Sequence, residues 1–140
     1  DGARGRAIKA PGPHEPLVPH CADLVFGCVG LDAIGKPLSG VAVHRPERLA
    51  ELAAAGMNST ITPEVVERLV RSRDGLFKSA PPASLRVLLL NKADLLEPAE
   101  GAAILHELFG RLEHSVDAVA LCSLADRRSP VVAFCEGSPR

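Results

Sequence analysis

The sequence predicts an α/β fold with a mostly parallel sheet flanked by helices. Short apolar runs bounded by turn residues occur at 22–30, 85–90, 116–121 and 131–134, as expected of strands. Segments in which apolar residues recur with helical period separate the first three runs. Strands that alternate with helices favour parallel pairing, because a helical crossover brings the next strand alongside in the same direction.

The first strand follows a long loop. Residues 1–20 are rich in Pro, Gly and charge, which predicts an extended loop. Residues 22–30 are almost continuously apolar, as in a strand buried on both faces. Residues 32–40 return to loop, since Gly35-Lys36-Pro37 interrupts any regular element.

Three helices are predicted from periodicity and from their end signals. The first covers 46–55, and Gly56 suits its C-terminal cap. In the second, Thr62 is expected to cap the helix and Pro63 to occupy its first position. The third begins at Pro98 and places four aliphatic residues on one side: Ile104, Leu105, Leu108 and Leu112.

The strand at 85–90 runs directly into Asn91-Lys92-Ala93-Asp94, the pattern by which guanine-specific P-loop proteins recognise their base. An Asp carboxylate there accepts two hydrogen bonds from guanine, which adenine cannot supply in that arrangement; Asp94 would take this role. Asn91 would brace neighbouring loops, and Lys92 would lay its stem over the ring with its ammonium in water. The alternative is a polar turn in which Asp94 or a neighbour caps the next helix.

Ser123 follows the next predicted strand and suggests a second base-binding loop. Guanine-binding proteins place a Ser-Ala type of loop one helix and one strand after the Asp, and Leu121-Cys122-Ser123-Leu124-Ala125 has that position. The alternative is a simple turn or a helix cap.

Phosphate and metal binding have weaker sequence support. Asp1, in Asp1-Gly2-Ala3-Arg4-Gly5, could end an acidic strand that holds Mg²⁺; the alternative is an Asp-Gly turn. The sequence contains no G-x-x-x-x-G-K-[ST] run, the loop that cradles nucleotide phosphates. The 140 residues are therefore expected to recognise a base without gripping a triphosphate, and to show no hydrolysis alone.

Composition limits the classes of partner. A length of 140 residues with 46% hydrophobic residues predicts one domain, 1–140, with a real core. A formal net charge of -1 argues against nucleic acid as a partner, and no apolar run is long enough to span a membrane. A cytoplasmic location is expected by default. The four cysteines form no CxxC pair and are expected to be buried free thiols.

Several runs together resemble the YqeC-type proteins, described as selenium cofactor biosynthesis or selenium-dependent molybdenum hydroxylase accessory proteins. The most distinctive are His14-Glu15-Pro16 and Gly30-Leu31-Asp32-Ala33-Ile34-Gly35-Lys36-Pro37. The matching runs extend over nearly the whole chain: 1–5, 9–11, 14–19, 29–38, 43–47, 61–64 and 90–94.

The resemblance implies a P-loop NTPase-like fold whose N-terminal phosphate-binding strand and helix would precede residue 1. It implies GTP and Mg²⁺ as cofactors once that segment is present, with nucleotide contacts at Asn91, Lys92 and Asp94 and Mg²⁺ at Asp1. The implied role is maturation of a selenium-dependent molybdenum hydroxylase. The alternative is a non-catalytic domain with a degenerate nucleotide site, whose loop carrying His14 and Glu15 docks the partner hydroxylase.

Overall fold

The computed structural model describes residues 5–126 and 128–137. The strands and helices in chain order are β1 (Ile8–Lys9), β2 (Leu24–Gly30), β3 (Val43–His44), α1 (Pro46–Ala53), α2 (Pro63–Arg71), β4 (Leu85–Asn91), α3 (Pro98–Leu112), β5 (Ala118–Cys122) and β6 (Val131–Glu136). Single 3₁₀ turns follow β2 and β4, at Leu31–Ala33 and Ala93–Leu95.

The main sheet has the strand order β2-β4-β5-β6, with β2, β4 and β5 parallel and β6 antiparallel. The prediction of an α/β fold with a mostly parallel sheet is therefore confirmed. In register, Gly30 lies beside Asn91 and Leu90 beside Leu121. The carboxyl ends of β2, β4 and β5 consequently meet at one edge of the sheet, called here the carboxyl edge. The short strands β1 and β3 form a separate parallel pair.

Each of the three described helices begins with proline at its first turn, as the sequence predicts. Two end signals differ from expectation. The left-handed residue that ends α1 is Ala54, with φ of 47°, and not Gly56. Thr62 occupies the cap position of α2, but its side chain makes no capping hydrogen bond.

The two faces of the main sheet have different surroundings. One face joins the protein core, with α3 packed against β5 and α2 beside α3. Its buried residues are Val29, Leu88, Leu90, Val119 and Leu121. On the opposite face, five large apolar side chains are 45–64% exposed in the described chain. This second face is called the bare face and consists of Leu24, Phe26, Leu85, Val131 and Phe134.

The bare face corrects two expectations. The run 22–30 is buried on one face only, and the described helices cover one side of the sheet and not both. The expectation of buried thiols also fails at two positions, since Cys28 is exposed beside Phe26 and Cys21 is exposed in the preceding loop. An apolar strand has the same sequence pattern whether or not another element covers it. The pattern depends only on the residues of the strand and not on what packs against them in the fold.

No helix in the described ranges has the length and apolar character needed to cross a bilayer.

Candidate functional site

Asn91 and the residues after β5 meet at the carboxyl edge. Asn91 is the last residue of β4, and its side-chain Oδ1 accepts a hydrogen bond of 2.9 Å from the backbone N–H of Leu124. Parallel pairing of β4 with β5 brings these residues together although they are far apart in sequence. Asn91 therefore braces the loop after β5, the structural role expected for it.

Ser123 and Asp94 are also joined at this edge. The Ser123 hydroxyl donates a hydrogen bond of 2.6 Å to Asp94 Oδ1. Ser123 is only 8% exposed, whereas Asp94 is exposed in the 3₁₀ turn after β4. A carboxylate has about four lone-pair sites, so Asp94 keeps acceptor capacity for a ligand while Ser123 fixes its orientation.

Lys92 differs from its expected arrangement. Its backbone is left-handed, with φ of 68°, and its Nζ donates a hydrogen bond of 2.7 Å to Asp32 Oδ2. The ammonium is thus paired with a carboxylate, where the sequence predicted contact with water. The ion pair holds the Lys92 stem at the carboxyl edge, beside the turn that carries Asp94.

Sequence reasoning missed Asp32 as a member of this cluster. One available signal was its position just after β2, because polar residues that follow parallel strands gather at the same edge. Gly30 makes this arrangement possible, since a Cβ there would be 2.6 Å from Asp32 Oδ1 and 3.0 Å from the Ala7 side chain. Asp32 Oδ1 is itself buried without a hydrogen-bond partner in the described structure.

Two cavities lie near these residues. One of about 540 Å³ has Asp94 and Ser123 on its wall, together with apolar residues from α3, β5 and β6. The second, of about 330 Å³, lies between β2 and the loop that carries His14 and Glu15. Its lining residues are Lys9, Pro11, Glu15, Pro16, Phe26, Gly27, Cys28 and Leu76. Both volumes lie within the usual range of small-molecule sites, about 300–1,000 Å³.

Comparison with known proteins identifies the family. The family described as YqeC protein matches residues 1–47. A protein of Escherichia coli (strain K12), named uncharacterized protein YqeC, is 31% identical over 134 residues, which are 95% of this chain and 50% of that protein. The chain belongs to the YqeC family. It spans about half the length of this curated relative. No solved structure matches the chain.

The segment that carries the YqeC match includes the loop with His14 and Glu15. Glu15 lies between two cations: its Oε2 is 2.9 Å from Arg45 Nη1 and 3.2 Å from Lys9 Nζ. The hydrogen bond from Arg45, followed by that from Lys9, holds the pKa of the Glu15 carboxyl below its usual range. His14 is exposed at the neighbouring position.

Further hydrogen bonds hold the loop with His14 and Glu15 against the rest of the protein. Arg45 also donates to the carbonyl of Ala10 at 3.1 Å. Lys78 donates to the carbonyls of Gly12 and Pro13 at 3.1 Å and 3.0 Å. Glu15 therefore helps to anchor the loop, whereas the His14 side chain is exposed on the surface of the loop.

Asp1, the expected metal ligand, lies outside the described residues. Within 5–126 and 128–137, His, Cys, Asp and Glu side chains form no group of three or more suited to a metal ion. The expectation of Mg²⁺ therefore rests on Asp1.

Proposed function

We propose that this chain carries the base-recognition part of a guanine-nucleotide site in a cytoplasmic accessory protein that helps mature selenium-dependent molybdenum hydroxylases. One observation carries the nucleotide proposal. Ser123 orients Asp94 while Asn91 braces Leu124, so the two loops after β4 and β5 form one hydrogen-bonded unit.

The chemistry of this unit suits guanine. Asp94 is exposed and has lone pairs left over for the N1–H and exocyclic amine of the base, both of which are donors. Adenine offers an acceptor at the first of these positions, and an acceptor facing a carboxylate is unfavourable. The Lys92 stem, held beside Asp94 by Asp32, is suited to cover one face of the base.

The proposal assigns phosphate binding to polypeptide outside these 140 residues, in keeping with a P-loop NTPase-like fold. Without a phosphate cradle and its lysine, most triphosphate binding energy is missing. The 140-residue chain should therefore show no GTP hydrolysis, and Mg²⁺ with Asp1 would act only in a longer protein.

Titration of fluorescent GDP, ADP and XDP into the protein extended from its own gene tests the nucleotide proposal. GDP is expected to bind most tightly, and Asp94→Asn is expected to change that order. Glu100→Gln neutralises an exposed carboxylate on α3; it is the matched control and should keep the order. Equal affinity for GDP and ADP in the wild-type protein would contradict the proposal.

A second candidate function is the docking of a partner hydroxylase by the loop of His14 and Glu15, with the nucleotide site degenerate. The supporting observation is that this loop is held by Arg45 and Lys78 at several points and yet leaves His14 exposed. A rigid loop loses little entropy on binding a partner.

Single histidine substitutions test the docking role. His14→Ala should lower hydroxylase maturation in cells and leave the thermal midpoint unchanged. His20→Ala, at another exposed loop histidine, is the control and should affect neither quantity. Full hydroxylase activity in cells that carry His14→Ala would eliminate this candidate.

A further inference from the structure

A group of cationic side chains lies at the opposite end of the sheet from the carboxyl edge, where β4 begins. Two cavities of about 250 Å³ and about 280 Å³ are found there, and both are lined by Arg71 and Arg86. Arg86 is five residues before Asn91 on β4, so roughly 16 Å of strand separates it from the candidate functional site. Because they share lining residues, the two cavities adjoin and are called here the basic crevice. Its donor-bearing side chains are those of Arg71, Ser72, Arg73, Ser79, Arg86 and His114.

The basic crevice has a positive charge that its own walls do not balance. Among its described lining residues there is no Asp or Glu. Asp74 and Glu113 are exposed in the adjoining loops and line neither cavity. Within 5–126 and 128–137, the guanidinium groups of Arg73 and Arg86 form no ion pair. An anion in the crevice would therefore meet two cationic side chains that the described residues leave without a counter-charge.

Arg86 also has a buried donor without an acceptor. Its Nε is buried and has no hydrogen-bond partner in the described structure. The backbone of Arg86 is satisfied, since its N–H donates to Asp117 Oδ2 at 2.7 Å and its carbonyl accepts from the Asp117 N–H at 2.8 Å. Buried polar groups in proteins are nearly always hydrogen-bonded, and an exception points to a missing water or ion. The unmet donor belongs to a side chain that lines both cavities, so the missing acceptor belongs in the crevice.

The alternative is that these arginines only balance the carboxyl ends of α2 and α3, which carry partial negative charge. Arg71 has this role, because its Nη2 donates to the Arg111 carbonyl at 2.5 Å and its Nε lies 3.1 Å from Glu67 Oε1. The side chains of Arg73 and Arg86 make no such contact within the described part of the chain. Balancing of helix ends thus accounts for Arg71 and leaves the other two arginines unexplained.

We propose that the basic crevice binds a phosphate group, either as free phosphate or as part of a small molecule. Arg86 is the central contact, because it lines both cavities, whereas Arg73 lines only the first and His114 only the second. The hydroxyls of Ser72 and Ser79 offer further donors. The planar fork of a guanidinium matches phosphate oxygens, and a carboxylate, with two oxygens, would leave more of these donors unmet.

This site does not depend on the proposed nucleotide function, because it uses the opposite end of the sheet and none of the residues around Asp94. Its test is a ¹H–¹⁵N NMR titration of the 140-residue chain with sodium phosphate at neutral pH, against sodium chloride of equal ionic strength. Phosphate should cause saturable shifts of the Arg86 Nε–H and of the Ser72 and Ser115 backbone amides. The Leu124 amide, at the carboxyl edge, should not shift.

Substitutions locate the binding energy. Arg86→Met keeps the length of the side chain without its charge, and should weaken phosphate binding about tenfold or more through lost charge-assisted hydrogen bonds. Arg73→Met should weaken binding by a smaller factor. Because Arg73 is exposed in a loop, this variant tests the proposal even if Arg86→Met does not fold. Arg48→Met removes the same charge from α1, outside the crevice, and is the matched control that should bind phosphate as wild type does.

Two further probes, glycerol phosphate and succinate, define the ligand. Tighter binding of glycerol phosphate than of phosphate would assign the site to a phosphate carried by a small molecule, and equal binding would assign it to free phosphate. Succinate that binds as tightly as phosphate would overturn the proposal, and so would shifts that chloride reproduces. Wild-type phosphate affinity in Arg73→Met and in folded Arg86→Met would overturn it as well.

Discussion

Ser123 donates a hydrogen bond of 2.6 Å to Asp94, a residue 29 positions earlier in the chain. The two side chains follow adjacent parallel strands and meet because those strands end at the same edge. This contact joins two loops that sequence reasoning could assign only one at a time. It also orients the carboxylate that is proposed to recognise guanine.

Asp94→Asn should change base preference in the extended protein. An amide in place of the carboxylate sets a donor against one guanine donor, and a lost hydrogen bond to a charged group costs about 1.5–3 kcal/mol. GDP affinity should fall and XDP affinity should rise, as measured by competition with a fluorescent nucleotide. An unchanged order of GDP, ADP and XDP would refute the role of Asp94.

Asn91→Ala should destabilise the loop after β5. The change removes the acceptor of the Leu124 N–H, and a typical intramolecular hydrogen bond contributes about 0.5–1.5 kcal/mol. Urea unfolding of the 140-residue chain measures the loss. Asn91→Asp keeps an acceptor oxygen and is the control. A loss just as large in Asn91→Asp would assign the effect to something other than this hydrogen bond.

The anchoring of Glu15 should depend on pH. Its folded-state pKa is lowered by Arg45 and Lys9, so the ionised form stabilises the fold above the unfolded value of about 4.3. That stabilisation is lost as pH falls through the lower folded-state pKa. The thermal midpoint of wild type should exceed that of Glu15→Gln near pH 7, and the difference should vanish in acid. A difference independent of pH would contradict the ionic anchoring.

Gly75 and Gly110 should respond oppositely to alanine. A Cβ at Gly75 would clash with the Leu69 carbonyl oxygen, so the backbone must move, at a cost of about 1–3 kcal/mol. A Cβ at Gly110, inside α3, meets nothing within 4 Å and should stabilise the helix by about 0.5–1 kcal/mol. Differential scanning calorimetry of both variants measures the contrast. A Gly75→Ala protein as stable as wild type would contradict the close approach of Gly75 to the Leu69 carbonyl oxygen.

Local sequence signals predicted much of the fold. Apolar runs marked β2, β4, β5 and β6, and a proline marked the start of each described helix, because strand propensity and helix initiation depend on adjacent residues. The Asn91 to Asp94 pattern, together with Ser123 one helix and one strand later, placed the candidate site at the ends of two strands. The antiparallel direction of β6 could also have been predicted from the sequence. Residues 123–130 are too few for the helical crossover that a parallel pair of β5 and β6 would need.

Other features required the tertiary structure. Asp32 and Lys92 are 60 positions apart, and Glu15 and Arg45 are 30 apart. Each pair forms where separate elements happen to meet, and nothing in the local sequence specifies the partner. The bare face also required the tertiary structure. The sequence of 22–30 shows that the strand is apolar, but only the packing of the other elements leaves Phe26 exposed. Burial is a property of the neighbours that the folded chain brings to a residue, and it is therefore decided in three dimensions.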